Sequence, residues 1–467
     1  ETLGGDYVHA YWRVCGKVDI NKLSSNPDVS NNNACYSLEG ACYDIVDAGT
    51  GSLVDTLVTN ADGFDESELL PVGDYFVRES APPHGYATDI VEYRVTIQPG
   101  TTVHVNAGQV PEEPIVNTVN MIVGKIDDAV LTNTAQGSAA LSGAQFEVKY
   151  YDNVEGDFSG EPKRSWILET DVDGYCLLDE AHFVSGDDFY RNTSGAPVLP
   201  IGSISIQEVR APDGYLLGDQ PTFTQIIDVD DVGGALGQVY NEPTMQTAAL
   251  ETVQRGDMRL VKLGNTGINQ NEPQVDKSAF ASGVQFELYN DNDQVVVSPE
   301  DGTTLVQPGG RVCTIVVDES GLASTRNGAQ VNGWDIPAVW HGALAVGTYT
   351  VHEVVPDSVQ EAYKQAHGTS ILPVDDWKII IWQDDQYDAA TLVNDVIPQT
   401  PLRVVKIDAE TGNRIPCPCA FQLFDQQGAL VEYVAHYPGE ETLNTWSTND
   451  EGIATLPMLL KEGTYEV

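Results

Sequence analysis

Lysine, glutamate and asparagine recur in that order in three successive stretches of the chain: Lys17, Glu79 and Asn117; Lys125, Glu208 and Asn241; Lys262, Glu353 and Asn394. A lysine amine is a nucleophile only when neutral, and burial favours the neutral form by removing the water that solvates the ammonium. An asparagine amide is a poor electrophile. Its carbonyl must be polarised and its nitrogen protonated before it can leave as ammonia. A buried glutamate whose pKa is raised by desolvation can donate that proton. Holding the three groups together supplies effective concentration in place of an external catalyst. The order therefore suggests an internal Lys–Asn amide in each stretch, with Glu79, Glu208 and Glu353 as the catalytic acids. Lys22 is the alternative to Lys17. Val14-Cys15-Gly16-Lys17-Val18-Asp19 parallels Ile122-Val123-Gly124-Lys125-Ile126-Asp127, but Lys22 stands closer to the strand that follows. The plainer reading makes the glutamates solvated strand residues, the asparagines turn residues and the lysines charges that guard sheet edges.

The elements that must position these residues are short strands. Each copy opens on the lysine strand and reaches a second strand: Gly40-Ala41-Cys42-Tyr43, Gly143-Ala144-Gln145-Phe146 or Gly283-Val284-Gln285-Phe286. Apolar and polar residues alternate there as in a half-buried strand. A turn follows in the first two copies, Thr59-Asn60-Ala61-Asp62-Gly63 and Thr170-Asp171-Val172-Asp173-Gly174. The glutamate strand comes next: Gly73-Asp74-Tyr75-Phe76-Val77-Arg78-Glu79, Ile204-Ser205-Ile206-Gln207-Glu208 or Gly347-Thr348-Tyr349-Thr350-Val351-His352-Glu353. It runs into Ala81-Pro82-Pro83-His84-Gly85-Tyr86 and Ala211-Pro212-Asp213-Gly214-Tyr215, a corner the third copy replaces with Asp357-Ser358-Val359-Gln360. A fourth copy starts at Lys406 and breaks off at Val467, before its glutamate and asparagine, so it is expected to be unstable alone. Glu1 and Val467 read as the limits of a piece of a longer protein.

At roughly 100–200 residues per domain, the chain of 467 residues holds three or four domains. The boundaries expected are 1–119, 120–244, a linker at 245–256, 257–397 with insertions, and an incomplete domain at 398–467. Frequent Gly and Pro, short β-branched and aromatic runs and the lack of a long 3.6-residue period favour an all-β fold. With 70 acidic against 23 basic residues, the formal charge is −47. Phosphate contacts need a basic footprint, so nucleic acid is excluded as a partner. No apolar run approaches the ~20 residues of a membrane span. Seven cysteines and eight scattered histidines give no zinc spacing; buried thiols, with at most one disulfide, are expected. Asp171-Val172-Asp173-Gly174 looks like the start of a calcium loop, but the later carboxylates are missing and it aligns with the turns of other copies. No metal and no cofactor are expected.

The ordered set Lys-x-Asp, Gly-Ala-x-Phe, Thr-x-x-Asp-Gly, Gly-x-Tyr-x-Val-x-Glu-x-x-Ala-Pro-x-Gly-Tyr and Val-x-Asn resembles the CnaB and SpaA-like domains of Gram-positive surface proteins, pilins included. The resemblance covers nearly the whole chain. It implies tandem Ig-like, transthyretin-like β-sandwiches in an elongated array, each with a Lys–Asn isopeptide bond assisted by its glutamate. It also implies an extracellular protein anchored to the cell wall, with neighbouring surface or pilus subunits as partners. The motif by which shaft pilins polymerise is not visible, which leaves stalk, minor pilin and adhesin open. One alternative is an adhesin that binds a host glycan or protein through inserted loops around Trp334 and Trp340. A hydrolase with paired carboxylates is a third reading, but no Ser-His, Cys-His or metal triad stands out. The only catalysis expected is the internal bond formation.

Overall fold

The computed structural model describes residues 14–118, 123–218, 222–228, 249–265, 275–276, 282–326, 334, 336–337, 339–367, 369–394, 396–398, 402–435, 439–458, 460 and 464–467. Asn241 lies outside them. The fold is almost entirely β, with pairs of facing sheets repeated along the chain. The chain divides into two compact units. One holds residues 1–125, 142–211 and 219–249, and the other holds 126–141, 212–218 and 250–467.

In the first unit, β1 (Cys15–Ser24) is the hub of the first copy. It pairs antiparallel with β4 (Phe64–Glu66) and β5 (Leu70–Pro71), and parallel with β8 (Thr102–His104) and β9 (Val110–Glu112). A facing sheet runs in the order β3 (Leu53–Val58), β2 (Cys42–Asp47), β6 (Gly73–Ala81), β7 (Glu92–Ile97). The alternating strand pattern sends Val18 and Ile20 from one sheet, and Tyr43, Ile45, Leu57, Tyr75, Val77, Val95 and Ile97 from the other, into one core. Each large apolar side chain so buried contributes about 1.5–3 kcal/mol.

The rest of this unit is the larger sheet of the second copy. Strands Phe183–Gly186, Arg164–Glu169, Gln145–Tyr151, Gly202–Arg210 and Phe223–Ile227 lie in that order. Its core also takes in Val29, Cys35 and Tyr36, which come from the loop after β1. Asn33 Nδ2 donates to Tyr150 Oη at 2.8 Å, and the Ile201 amide donates to Tyr36 Oη at 2.9 Å. Loop residues of the first copy therefore join the core of the second, while the first copy keeps a core of its own, and both lie in one compact unit across the expected boundary between residues 119 and 120.

In the second unit, Arg255–Asn265 is the hub of the third copy. It pairs with Leu322–Ser324, Leu344–Ala345 and, in parallel, with Tyr387–Asn394. Its facing sheet is Arg311–Val316, Gln285–Asn290, Gly347–Val354, Trp377–Ile381. Where the corner motif is missing, an α-helix Asp357–His367 stands instead. The fourth copy has a small core of Leu423, Val431, Leu456 and Met458, and its described sheets are all two-stranded.

Two expectations change here. The stretch read as a linker contains the strand Ala249–Val253, which pairs with Tyr215–Leu216, and it runs on into the hub strand at Arg255. Its polar sequence misleads because its polar groups are buried with partners. Arg255 is fully buried: it donates to the Ala343 carbonyl at 3.1 Å and to Gln136 Oε1 at 3.2 Å, and its guanidinium stacks 3.4 Å from the Trp340 ring centre. Trp334 and Trp340, expected on decorating loops, are themselves buried. None of the seven cysteines is in a disulfide.

Candidate functional site

One backbone contact identifies equivalent lysines. The amides of Lys22, Lys125, Lys262 and Lys406 donate to the carbonyls of Gly63, Gly174, Gly321 and Gly452 at 2.8, 2.9, 2.7 and 3.0 Å. Gly63, Gly174 and Gly321 close the tight turns that follow the strands Leu53–Val58, Arg164–Glu169 and Arg311–Val316. Gly63 shows why the type is required: φ is +76°, and a Cβ there would stand 2.7 Å from the Lys22 carbonyl oxygen. The turn at Asp171 to Gly174 is held by its own chain, with Asp171 Oδ1 accepting from the amides of Asp173 and Tyr175.

Lys22, and not Lys17, is thus the counterpart of Lys125 and Lys262. Lys17 points outward and pairs with Glu66 at 2.5 Å, with about a third of each side chain exposed. The sequence parallel failed because the buried lysine is fixed by its pairing across the sheet, not by its local neighbours: Asn21 pairs with Phe64, beside the turn glycine.

A second register fixes the glutamates. Tyr43 pairs with Glu79, Phe146 with Glu208 and Phe286 with Glu353. Each lysine crosses the sandwich over that aromatic ring, with Nζ 4.5, 5.0 and 5.2 Å from the ring centre. It meets the glutamate on the far side: Lys22–Glu79 at 3.5 Å, Lys125–Glu208 at 2.6 Å and Lys262–Glu353 at 2.8 Å. All six side chains are buried. Desolvation dominates their titration. It lowers Lys22 and Lys262, lowers Lys125 to about 8, and raises Glu208. Both members of the Lys125–Glu208 pair are pushed toward their neutral forms, the state in which the amine can attack and the acid can donate a proton.

The closing partner is where the copies differ. In the third copy Lys262 pairs in parallel with Leu392, which sets Asn394 opposite Gly264, two residues beyond the lysine. In the first copy Lys22 pairs with Val110, and the residue opposite Ser24, again two beyond the lysine, is Glu112. Glu112 is fully buried and in ion contact with Lys22. Asn117, the expected partner, pairs instead with Leu199 beside the second copy. Sequence could have found Glu112. Gly108-Gln109-Val110-Pro111-Glu112-Glu113-Pro114 aligns with Gly237-Gln238-Val239-Tyr240-Asn241-Glu242-Pro243, so Glu112 stands where the second copy has Asn241. In the second copy the backbone carbonyl of the buried Glu251 accepts from the Asp128 amide at 2.9 Å, three residues beyond Lys125, just as that of Glu112 accepts from the Ser25 amide at 2.8 Å, three beyond Lys22.

With this geometry in view, residues 17–110 match the SpaA family, described as a prealbumin-like fold domain. The match falls within the first copy, and the second and third copies repeat its lysine–glycine and aromatic–glutamate registers. No curated protein matches significantly. Among solved structures, the Bacillus anthracis TIE protein is similar at 17% identity and a TM-score of 0.45, over 82% of this chain and 51% of its own length. The chain thus spans about half of that protein. BcpA, the major pilin subunit of Bacillus cereus, matches at 16% identity and a TM-score of 0.27, over 82% of this chain and 99% of its own. A C-terminal fragment of the pilus adhesin SpaC from Lactobacillus rhamnosus GG matches at 15% identity and a TM-score of 0.29, over 51% of this chain and 96% of its own. Among the described residues, no helix is long and apolar enough to cross a membrane, which leaves β-barrels untouched.

Proposed function

We propose that the chain is a structural segment of a Gram-positive cell-surface protein, a stalk or pilus component, whose domains cross-link themselves. Neighbouring surface subunits are its partners, and its only chemistry is internal. The observation that supports this best is the buried lysine–glutamate pair, built three times in one register. Nothing about folding alone asks for it, since breaking even with an apolar pair is the usual fate of a buried ion pair. A lysine held neutral beside an acid, with a carboxamide two residues along the adjacent strand, is instead arranged for amide exchange. Lys262 attacks the Asn394 side-chain carbonyl, Glu353 carries the proton to the departing nitrogen, and ammonia leaves. For the second copy the reading keeps Lys125, Glu208 and Asn241, the set given by the order of residues.

A bond between the first and last strands lets tension along the chain bypass the sheet between them. By analogy with disulfide loop closure it also stabilises a loop of this size by about 5 kcal/mol. Peptide mapping of the denatured, reduced protein tests the reading. Fragments containing Lys262 and Asn394 should be recovered joined, lighter than their sum by one ammonia. Recovery of both as separate unmodified peptides rejects it.

A further inference from the structure

The first copy departs from the Lys–Glu–Asn set at the residue that must supply the electrophile. Glu112 has no exposed surface, and among the described residues neither of its carboxylate oxygens receives a hydrogen bond. Its ion contact is Lys22, which is equally buried. Glu79 lies on the other side of the same amine at 3.5 Å, also buried, with Oε1 accepting no hydrogen bond. The Lys22 amine further donates to Tyr43 Oη, which in turn donates to Asp89 at 3.2 Å. One cation therefore faces two carboxyl groups, and all three side chains are fully buried. As ions they carry an excess negative charge in the core, and a buried carboxylate without hydrogen bonds is among the costliest groups a protein can hold. Condensation removes the problem, because it turns the lysine and one carboxyl into a neutral amide.

We propose that Lys22 and Glu112 are joined by a side-chain amide formed with loss of water. The inference rests on the reading that these sites form bonds, and adds that the first one does so from a carboxylic acid. The neutral Lys22 Nζ attacks Glu112 Cδ, so that a C–N bond forms. Glu79, in its acid form, gives a proton to the Glu112 hydroxyl, the C–O bond breaks, and water departs. The nitrogen loses its surplus proton to Glu79, which is restored. No oxidant or co-reactant is needed. Burial favours the product because the water released is excluded from the site, and juxtaposition replaces activation of the acid. The depressed basicity of Lys22, caused by its burial, provides the free amine.

Peptide mapping by tandem mass spectrometry of the whole chain distinguishes this from the broader reading. The peptides bearing Lys22 and Glu112 should be joined, lighter than their sum by one water. The Glu112→Gln variant should reach the same product by losing ammonia. Wild type and variant would then end at equal mass although their encoded masses differ, and Glu112→Ala should leave Lys22 unmodified. Wild-type peptides recovered unlinked, in a protein whose Lys262 and Asn394 are linked, overturn this proposal and leave the broader reading standing. Linkage at Lys22 without linkage at Lys262 does the reverse. A Glu112→Gln variant that links while the wild type does not identifies the native site as a permanent ion pair, and also overturns the proposal.

Discussion

The first and third copies place a lysine and a glutamate by the same two registers, yet close the site differently. Around Lys262 the closing position holds a carboxamide, Asn394, by backbone register. Around Lys22 it holds a carboxyl group, Glu112. The flanking chain differs as well. Pro82-Pro83-His84-Gly85-Tyr86 turns the corner in the first copy, whereas a helix, Asp357–His367, does so in the third. The buried lysine and glutamate thus recur in both copies, while the closing residue and the corner vary. This is what is expected if the sandwich needs the first two for register and packing, and the last only for chemistry.

The comparison can be broken most forcefully at the lysines. Lys22→Met leaves two buried carboxyl groups without a cation, whereas Lys262→Met leaves only Glu353. Each loses its cross-link, worth about 5 kcal/mol by loop entropy. Orphaning a buried partner costs about 3–5 kcal/mol more, so the first copy should suffer the greater loss in thermal unfolding. If Lys262→Met is the more damaging, the two sites are not built as described.

Glu208→Ala comes next. The second copy should remain folded but lack its bond, and the denatured protein should migrate more slowly in electrophoresis than the compact wild type. A Lys125 peptide still joined to Asn241 in that variant would remove Glu208 from its catalytic role.

A pH effect of intermediate size follows for Asn241→Ala, which cannot form the expected bond and leaves Lys125 as an amine. Its folded pKa is about 8 against an ordinary 10.5. Between those values the unfolded chain binds more protons than the folded one, so stability rises with pH across that window. Below about pH 8 the full penalty of the buried amine is present. Denaturant midpoints that fall from pH 8 to pH 10 would show that Lys125 is charged in the folded state.

The smallest effect belongs to Lys17. Its pair with Glu66 is largely solvated, and such pairs contribute no more than about 1 kcal/mol. Lys17→Ala should leave every cross-linked peptide unchanged. Loss of the first-copy bond in this variant would restore Lys17 as the nucleophile.

Much of this was legible in the order of residues. The aromatic–glutamate strands and the turn glycines repeat with little variation, because each carries a local requirement: alternation for a half-buried strand, a positive φ for the turn. These set the all-β fold and the sequence positions of Glu79, Glu208, Glu353, Lys125 and Lys262, which the structure brings together as buried lysine–glutamate pairs. The stretch at 245–256 was misread because composition reports polarity and not partners. Arg255 sits in the core, stacked on Trp340 and bonded to Gln136.

What sequence alone determined is the chemistry available in each copy: an amine, an acid, and an electrophile near the end. Only the tertiary structure decided which lysine is buried against the glutamate and which residue closes the site. Lys17 and Lys22 lie on one strand, and both stand near acidic residues. The choice between them depends on which faces the second sheet, and that is set by pairing with Phe64 and Val110, more than 40 and 80 residues away. Strand register is a non-local property, and a side chain's burial follows from it. For the same reason Glu112, one acid among 70, acquires its significance only when β9 lies parallel to β1.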